Sequence, residues 1–119
     1  MNINSLTIKA QEALQSAMNL ASSGGNQAVE PLHILSAIIG EENSVGVFLL
    51  QKVGVNIGAL RSVLKEQLDR LPKVQGGDVY FSRESSEVIQ KATDYTKTFG
   101  DKYASVEHLL LGLLADKGE

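Results

Sequence analysis

VEPLHILSAIIG, Val29–Gly40, and VEHLLLGLL, Val106–Leu114, are the two passages from which the fold is read. Each opens on Val-Glu, carries a histidine early and continues with aliphatic residues at helical spacing. Placing His33 on His108 sets a displacement of 75 positions, from 33 to 108, and the same displacement holds upstream without a gap. It puts Glu12 on Glu87, Leu14 on Ile89, Gln15 on Gln90, Ala17 on Ala92 and Gly25 on Gly100. A period this long, spanning several helices, predicts a duplicated helical unit. The fold class that follows is all-α: an orthogonal helical bundle of two pseudo-repeats, the first a four-helix unit and the second cut to about two helices.

Upstream, Leu6, Ala10, Ala13, Leu14, Ala17, Leu20 and Ala21 recur at three-and-four spacing and predict a helix over Leu6–Ala21. Asn4 or Thr7 supplies its cap, a side-chain oxygen for an otherwise unpaired N–H. The run SSGGN, 22–26, ends it, with glycine able to take positive φ. Glu30-Pro31 opens the second helix, because proline at the first helical position sacrifices no hydrogen bond. Leu32, Leu35, Ile38 and Ile39 form its buried stripe, Gly40 loosens its end, and Glu41-Glu42-Asn43-Ser44 reads as a polar turn. Val45–Val53, VGVFLLQKV, reads as a short third helix, apolar nearly all round and therefore central to the core. Asn56 caps a fourth, Ile57–Leu71, with Leu60, Val63 or Leu64, Leu68 and Leu71 facing inward, and Pro72 stops it.

Pro72–Tyr80 has no helical period and reads as a linker with a Gly-Gly turn and a possible short extended segment. Ser82 caps the fifth helix, and Glu84 sits where a carboxylate favours the helix dipole. Val88, Ile89, Ala92, Tyr95 and Thr96 repeat the inner face of the first helix, and Phe99-Gly100 closes it. Ser105 caps the sixth helix, Val106–Ala115, whose core is Leu109, Leu110, Leu113 and Leu114; Asp116-Lys117-Gly118-Glu119 ends the chain. The first repeat then occupies about residues 6–71, the linker 72–80 and the partial second repeat about 81–117, within one domain, 1–119. Two further helices follow the second helix, and none follows its counterpart. The chain therefore reads as a fragment of a longer one, with apolar surface left open or covered by a neighbouring copy.

At 119 residues the chain can bury a modest core without disulfide or metal. Cysteine is absent, which excludes a disulfide framework and thiolate metal sites and fits a cytoplasmic setting. MNINSLTIKA lacks the basic and apolar regions of a signal peptide. The apolar runs fall well short of the roughly 20 residues needed to cross a bilayer, which argues against a membrane. A net charge of −3, dispersed Lys and Arg, and the absence of Trp argue against nucleic acid. Arg61, Lys65, Arg70 and Lys73 read as the solvated face of a helix.

Nothing converges toward catalysis. Gly24-Gly25 and Gly76-Gly77 lack the Lys-Ser/Thr of a phosphate-binding loop, so no nucleotide cofactor is expected in this stretch. His33 and His108 have no H-E-x-x-H context and read as packing residues at helix–helix contacts, each bonded to a backbone group. Ser85-Ser86 has no nucleophile elbow, and Glu41-Glu42 lies in a solvated turn. The remaining candidates are partner surfaces. Ile8 and Tyr103 lie near predicted helix ends, outside the buried stripes. They read either as scattered apolar surface or as a shallow patch that takes hydrophobic peptide segments.

LTIKAQEAL in the first helix, VEPLHILSAII in the second, VGVN before the fourth, RLPKVQG in the linker and ASVEHLLLGLL at the end together resemble the Clp N-terminal domain family. The resemblance covers essentially the whole chain in consistent order. EPLHIL and RLPKVQG are most similar to its disaggregase branch, the ClpB type. It implies a non-catalytic domain at the front of a hexameric AAA+ ATPase that threads unfolded or aggregated polypeptide and works with DnaK-type chaperones. ATP and Mg would belong to other modules of that parent. It further implies substrate handling by Thr7 in SLTIKA, Asp101 in FGDKY and Glu107 in SVEHL; the plain alternative for each is a helix cap or a charge near a helix N-terminus. Similarity to the protease-associated ClpA and ClpC types implies the other reading, docking of a folded adaptor.

Overall fold

Thr7, Ser44, Asn56 and Ser82 each hold extended dihedrals, and each turns a side-chain oxygen back to accept an N–H three residues on. These caps start four of the helices. In the computed structural model, which describes residues 5–40, 44–74 and 76–115, they are α1 (Ile8–Ser23), α3 (Val45–Lys52), α4 (Ile57–Asp69) and α5 (Arg83–Phe99). Helix α2 (Pro31–Ile38) begins on the predicted proline, and α6 (Val106–Ala115) follows Ser105. Gly100, at φ 73°, closes α5 in the left-handed region that glycine enters without a Cβ penalty. Asn4, residues 41–43 of the polar turn and 116–119 lie outside the described residues.

The molecule is mostly helical, with two very short strands added. In the segment before α2, β1 (Ala28–Val29) pairs in parallel with β2 (Tyr80–Phe81), which the linker delivers. That pairing gives the extended segment of the linker its place. A single parallel bridge joins Leu6 to Ala104. Leu6 therefore lies outside α1, contrary to the predicted helix start. Thr7 is already extended, so the helix cannot begin before Ile8, and Leu6 is buried beside the bridge instead.

Ala10, Leu14, Ala17 and Ala21 of α1 meet Ile34, Ile38 and Ile39 around α2, while Ile89 and Ala92 of α5 and Leu109 and Leu110 of α6 complete the core. Small residues bring the helices close. A Cβ on Gly112 would stand 2.6 Å from the Val88 carbonyl oxygen, and one on Gly46 would collide with the Ile38 side chain. Leu64 rather than Val63 supplies the inward position of α4.

Three expectations about burial are overturned. Helix α3 is not central: only Gly46, Val47 and Leu50 are buried, while Phe48 is 58% and Val53 77% exposed. An all-round apolar helix is buried only if neighbours surround it, and α3 is covered along one side and turns 114° into α4. Leu114 is 71% exposed and Leu20 is exposed as well, although both continue apolar stripes. Ile34, outside the predicted stripe of α2, is fully buried, whereas Leu32 and Leu35 are only partly so, because α2 packs against α1, α4, α5 and α6 together.

Candidate functional site

The Leu6–Ala104 bridge decides which surface residues meet. Thr7 N–H donates to Ala104 O at 2.8 Å, and Ala104 N–H donates to Ser5 O at 2.7 Å. The start of α1 is thereby fixed against the start of α6. Thr7 Oγ1 caps α1 by accepting Ala10 N–H at 3.1 Å. Beside this junction lies a cleft of about 430 Å³, between the N-terminal ends of α1, α3 and α6 and the C-terminal end of α2. Its apolar wall includes Ala13, Ala37, Ile38, Val45 and Val106; Thr7, Ser44, Ser105 and Glu107 supply polar groups. Lys9 and Glu12, 3.9 Å apart and both exposed, stand at the same cleft.

Of the five candidate residues, Thr7 and Glu107 line this cleft together. Ile8, 73% exposed, and Tyr103, 52% exposed, lie on the same two segments, next to Thr7 and Ala104, but outside the cleft. Asp101 is also outside it. Its carboxylate Oδ2 lies 3.0 Å from His108 Nε2. Ser105, read from the sequence only as the cap of the sixth helix, also joins this group: its N–H donates to His108 Nδ1 at 2.9 Å and its Oγ lies 2.7 Å from the same nitrogen.

The same pattern stands 75 residues earlier. Glu30 N–H donates to His33 Nδ1 at 2.8 Å, and His33 Nε2 lies 3.1 Å from Asn26 Oδ1. Asn26 N–H donates to Ala21 O, and Asp101 N–H donates to Thr96 O, both at 2.8 Å. Both histidines are buried and each ring bonds a backbone N–H, as their sequence context predicts. Burial strips His33 of solvent and pushes its pKa below the ordinary 6.5. A second cleft, also about 430 Å³, lies over this site between α1, α2 and α4. There Arg61 donates to Ile39 O at 2.6 Å, and Lys65 pairs with Asp69. Its cations are therefore engaged within the molecule. Among the described residues no group of three or more His, Asp or Glu is placed to hold a metal ion. Among the same residues no single helix is long and apolar enough to cross a membrane. The first cleft suits contact with an apolar segment, flanked by hydroxyl and carboxylate groups.

The family model of the Clp repeat (R) N-terminal domain matches residues 5–119. The chaperone protein ClpB of Bacteroides thetaiotaomicron is 50% identical over 117 residues, 98% of this chain. The chaperone protein ClpB of Porphyromonas gingivalis is 42% identical over 119 residues, 100% of this chain. The chain spans only 14% of the length of either relative. Among solved structures, the Hsp104 N-terminal domain from Candida albicans is similar with a TM-score of 0.86 at 24% identity, over 95% of this chain and 75% of that one. The N-terminal domain of the ClpV1 ATPase from E. coli gives 0.88 at 17% identity, over 97% and 71%. At such identities these two likenesses speak to the fold alone.

Proposed function

The chain belongs to the Clp repeat N-terminal domain family, and from that premise we propose that it is the substrate-binding domain of a ClpB-type AAA+ disaggregase. It engages unfolded or aggregated polypeptide, which ATPase modules elsewhere in the parent protein then thread. The parent is a cytoplasmic homohexamer that works with DnaK-type chaperones and uses ATP and Mg in those modules. The domain itself is non-catalytic. It is built as two pseudo-repeats, about 6–71 and 81–117, joined by the linker 72–80. The matched histidine sites support that division, as do two strand contacts that exchange under the 75-residue displacement: Val29 with Phe81, and Ala104 with Leu6.

The observation that carries the functional reading is the meeting of Thr7 and Glu107 at one apolar-walled cleft, with Ile8 and Tyr103 exposed on the adjoining segments. A binder of many unfolded chains needs apolar contact with few fixed hydrogen bonds, and it gains adaptability at the expense of affinity. Six such domains on one ring raise the effective concentration of weak sites. The isolated domain is therefore expected to bind a denatured protein more tightly than its native form, with affinity no better than about micromolar, near −8 kcal/mol. Titration of both forms against the wild type, Thr7→Ala and Glu107→Ala decides it. Equal binding to native and denatured protein overturns the reading, and so does unchanged binding in both variants.

A further inference from the structure

Resting on the polypeptide-binding reading of the cleft, we propose that Asp101 is a positioning residue that fixes the Ser105–Glu107 edge through His108, while Glu107 itself meets the bound chain. The argument begins with the direction of one hydrogen bond. A backbone N–H can only donate, so the contact from Ser105 N–H makes His108 Nδ1 an acceptor. A neutral imidazole then carries its proton on Nε2, the atom that lies 3.0 Å from Asp101 Oδ2. Asp101 accepts that proton and so holds the ring in the orientation that receives Ser105 N–H at the start of α6. Without Asp101 the Ser105 contacts to Nδ1, its N–H at 2.9 Å and its Oγ at 2.7 Å, still favour the proton on Nε2, but the ring loses the anchor that fixes it from its other side. Ser105, Val106 and Glu107 all line the cleft, and Asp101 does not. Asp101 is itself held in place by its own N–H bond to Thr96 O and by the left-handed turn at Gly100.

The molecule contains its own control. At the matched site the partner of His33 Nε2 is Asn26 Oδ1, a neutral amide, and the ring still receives Glu30 N–H on Nδ1. A carbonyl oxygen at this place therefore orients the ring without a charge. It follows that Asp101→Asn preserves what Asp101 does, whereas a carboxylate that touched the ligand directly would not survive the exchange.

The experiment is fluorescence anisotropy with labelled, reduced and carboxymethylated α-lactalbumin, read beside the ring ¹⁵N shifts of His108. Expected are a protonated Nε2 and an unprotonated Nδ1 in the wild type and in Asp101→Asn, with the two proteins binding the probe alike. Asp101→Ala should lose the fixed ring orientation, read as broadened His108 ring signals, and weaken binding about tenfold, the scale of one charge-assisted hydrogen bond. Glu107→Gln should weaken binding while leaving the ring signals in place. Asp101→Asn as weak as Asp101→Ala overturns the proposal, because charge and not ring orientation would then matter. A wild-type ring protonated on Nδ1 overturns it too, as does unchanged binding in Asp101→Ala. A wild type that ignores the probe removes the polypeptide-binding reading and this proposal with it, whereas the first three outcomes leave that reading standing.

Discussion

Asn26→Ala is expected to be among the more damaging single changes a surface-lying turn could suffer, although Asn26 touches no candidate ligand. Its side chain is 7% exposed and makes two contacts: Oδ1 to His33 Nε2 and Nδ2 to Pro72 O, each at 3.1 Å. Truncation removes both and leaves the Nε2 proton of a ring with 0% exposure without its acceptor. A lost hydrogen bond costs about 0.5–1.5 kcal/mol net, and a buried orphan donor about 1–3 kcal/mol. Pro72 is exposed, so water replaces its bond; Lys73 Nζ to Gly24 O and Val74 N–H to Gly25 O still hold the linker. The His33 side alone then sets the loss at about 1–3 kcal/mol, the orphan-donor cost replacing the net bond value and not adding to it. Asp101→Ala at the matched place is the internal comparison. That carboxylate is half exposed, so water can accept the Nε2 proton in its place without orienting the ring, and the loss of folding stability should stay below about 1 kcal/mol. Urea unfolding followed by helical circular dichroism measures both, with unchanged m-values confirming that only stability moved. A loss below about 1 kcal/mol in Asn26→Ala, or equal losses in the two variants, would refute the view that burial separates the two sites.

Further outcomes follow from the same contacts. Because burial depresses the His33 pKa, the folded state disfavours the proton that the unfolded chain accepts. This contribution is complete above 6.5 and declines as pH falls through 6.5 toward the folded value, by at most about 1.4 kcal/mol per pH unit. Urea midpoints from pH 8 down to 5 should show this component shrink in His33→Gln, and an identical pH profile in that variant would remove His33 as its source. Gly112→Ala should destabilise by about 1–3 kcal/mol, since its new Cβ meets the Val88 carbonyl oxygen, part of the backbone. Gly58→Ala meets nothing nearer than Asn56 Oδ1 at 3.5 Å and should instead stabilise α4 by about 0.5 kcal/mol. Thermal melts of the two alanine variants should therefore move in opposite directions.

Much of the scaffold is legible before any coordinates. The caps Thr7, Asn56 and Ser82, the proline start of α2 and the glycine end of α5 are local signals, and local chemistry decides them. Burial is different, because periodicity marks which face of a helix is apolar without saying what covers it. Leu114 and Ile39 occupy matched positions in matched helices, yet Ile39 is 1% exposed, with Arg61 of α4 bonded to its carbonyl, and Leu114 is 71% exposed. The exposed side of α3 fails for the same reason. The site was half legible. Thr7 and Glu107 carry a family resemblance, but only the bridge between Leu6 and Ala104 brings them together, and that contact joins opposite ends of the chain. The partnership of Asp101 with His108 was within reach: one more step of the 75-residue displacement places Asp101 on Asn26.

On the proposed polypeptide-binding reading, the two histidine sites also account for the choice of one end of the molecule over the other. Both rings hold the start of a helix through a backbone N–H, so both can make that helix end rigid. Around His33, Asn26 continues the network into the linker through Pro72, and the parallel strand pair seals the same segment. The Asn26, His33 and Glu30 contacts there all serve internal attachment. Around His108 the partner is a half-exposed carboxylate, and the helix it steadies opens directly onto the cleft. Two like arrangements can differ in this way because they share a requirement for ring orientation and not for solvent exposure. Burial turns the first into a fastening for the linker. Exposure leaves the second as a rigid support for Ser105–Glu107, and a site for mobile, variable chains needs one wall that does not yield when they bind.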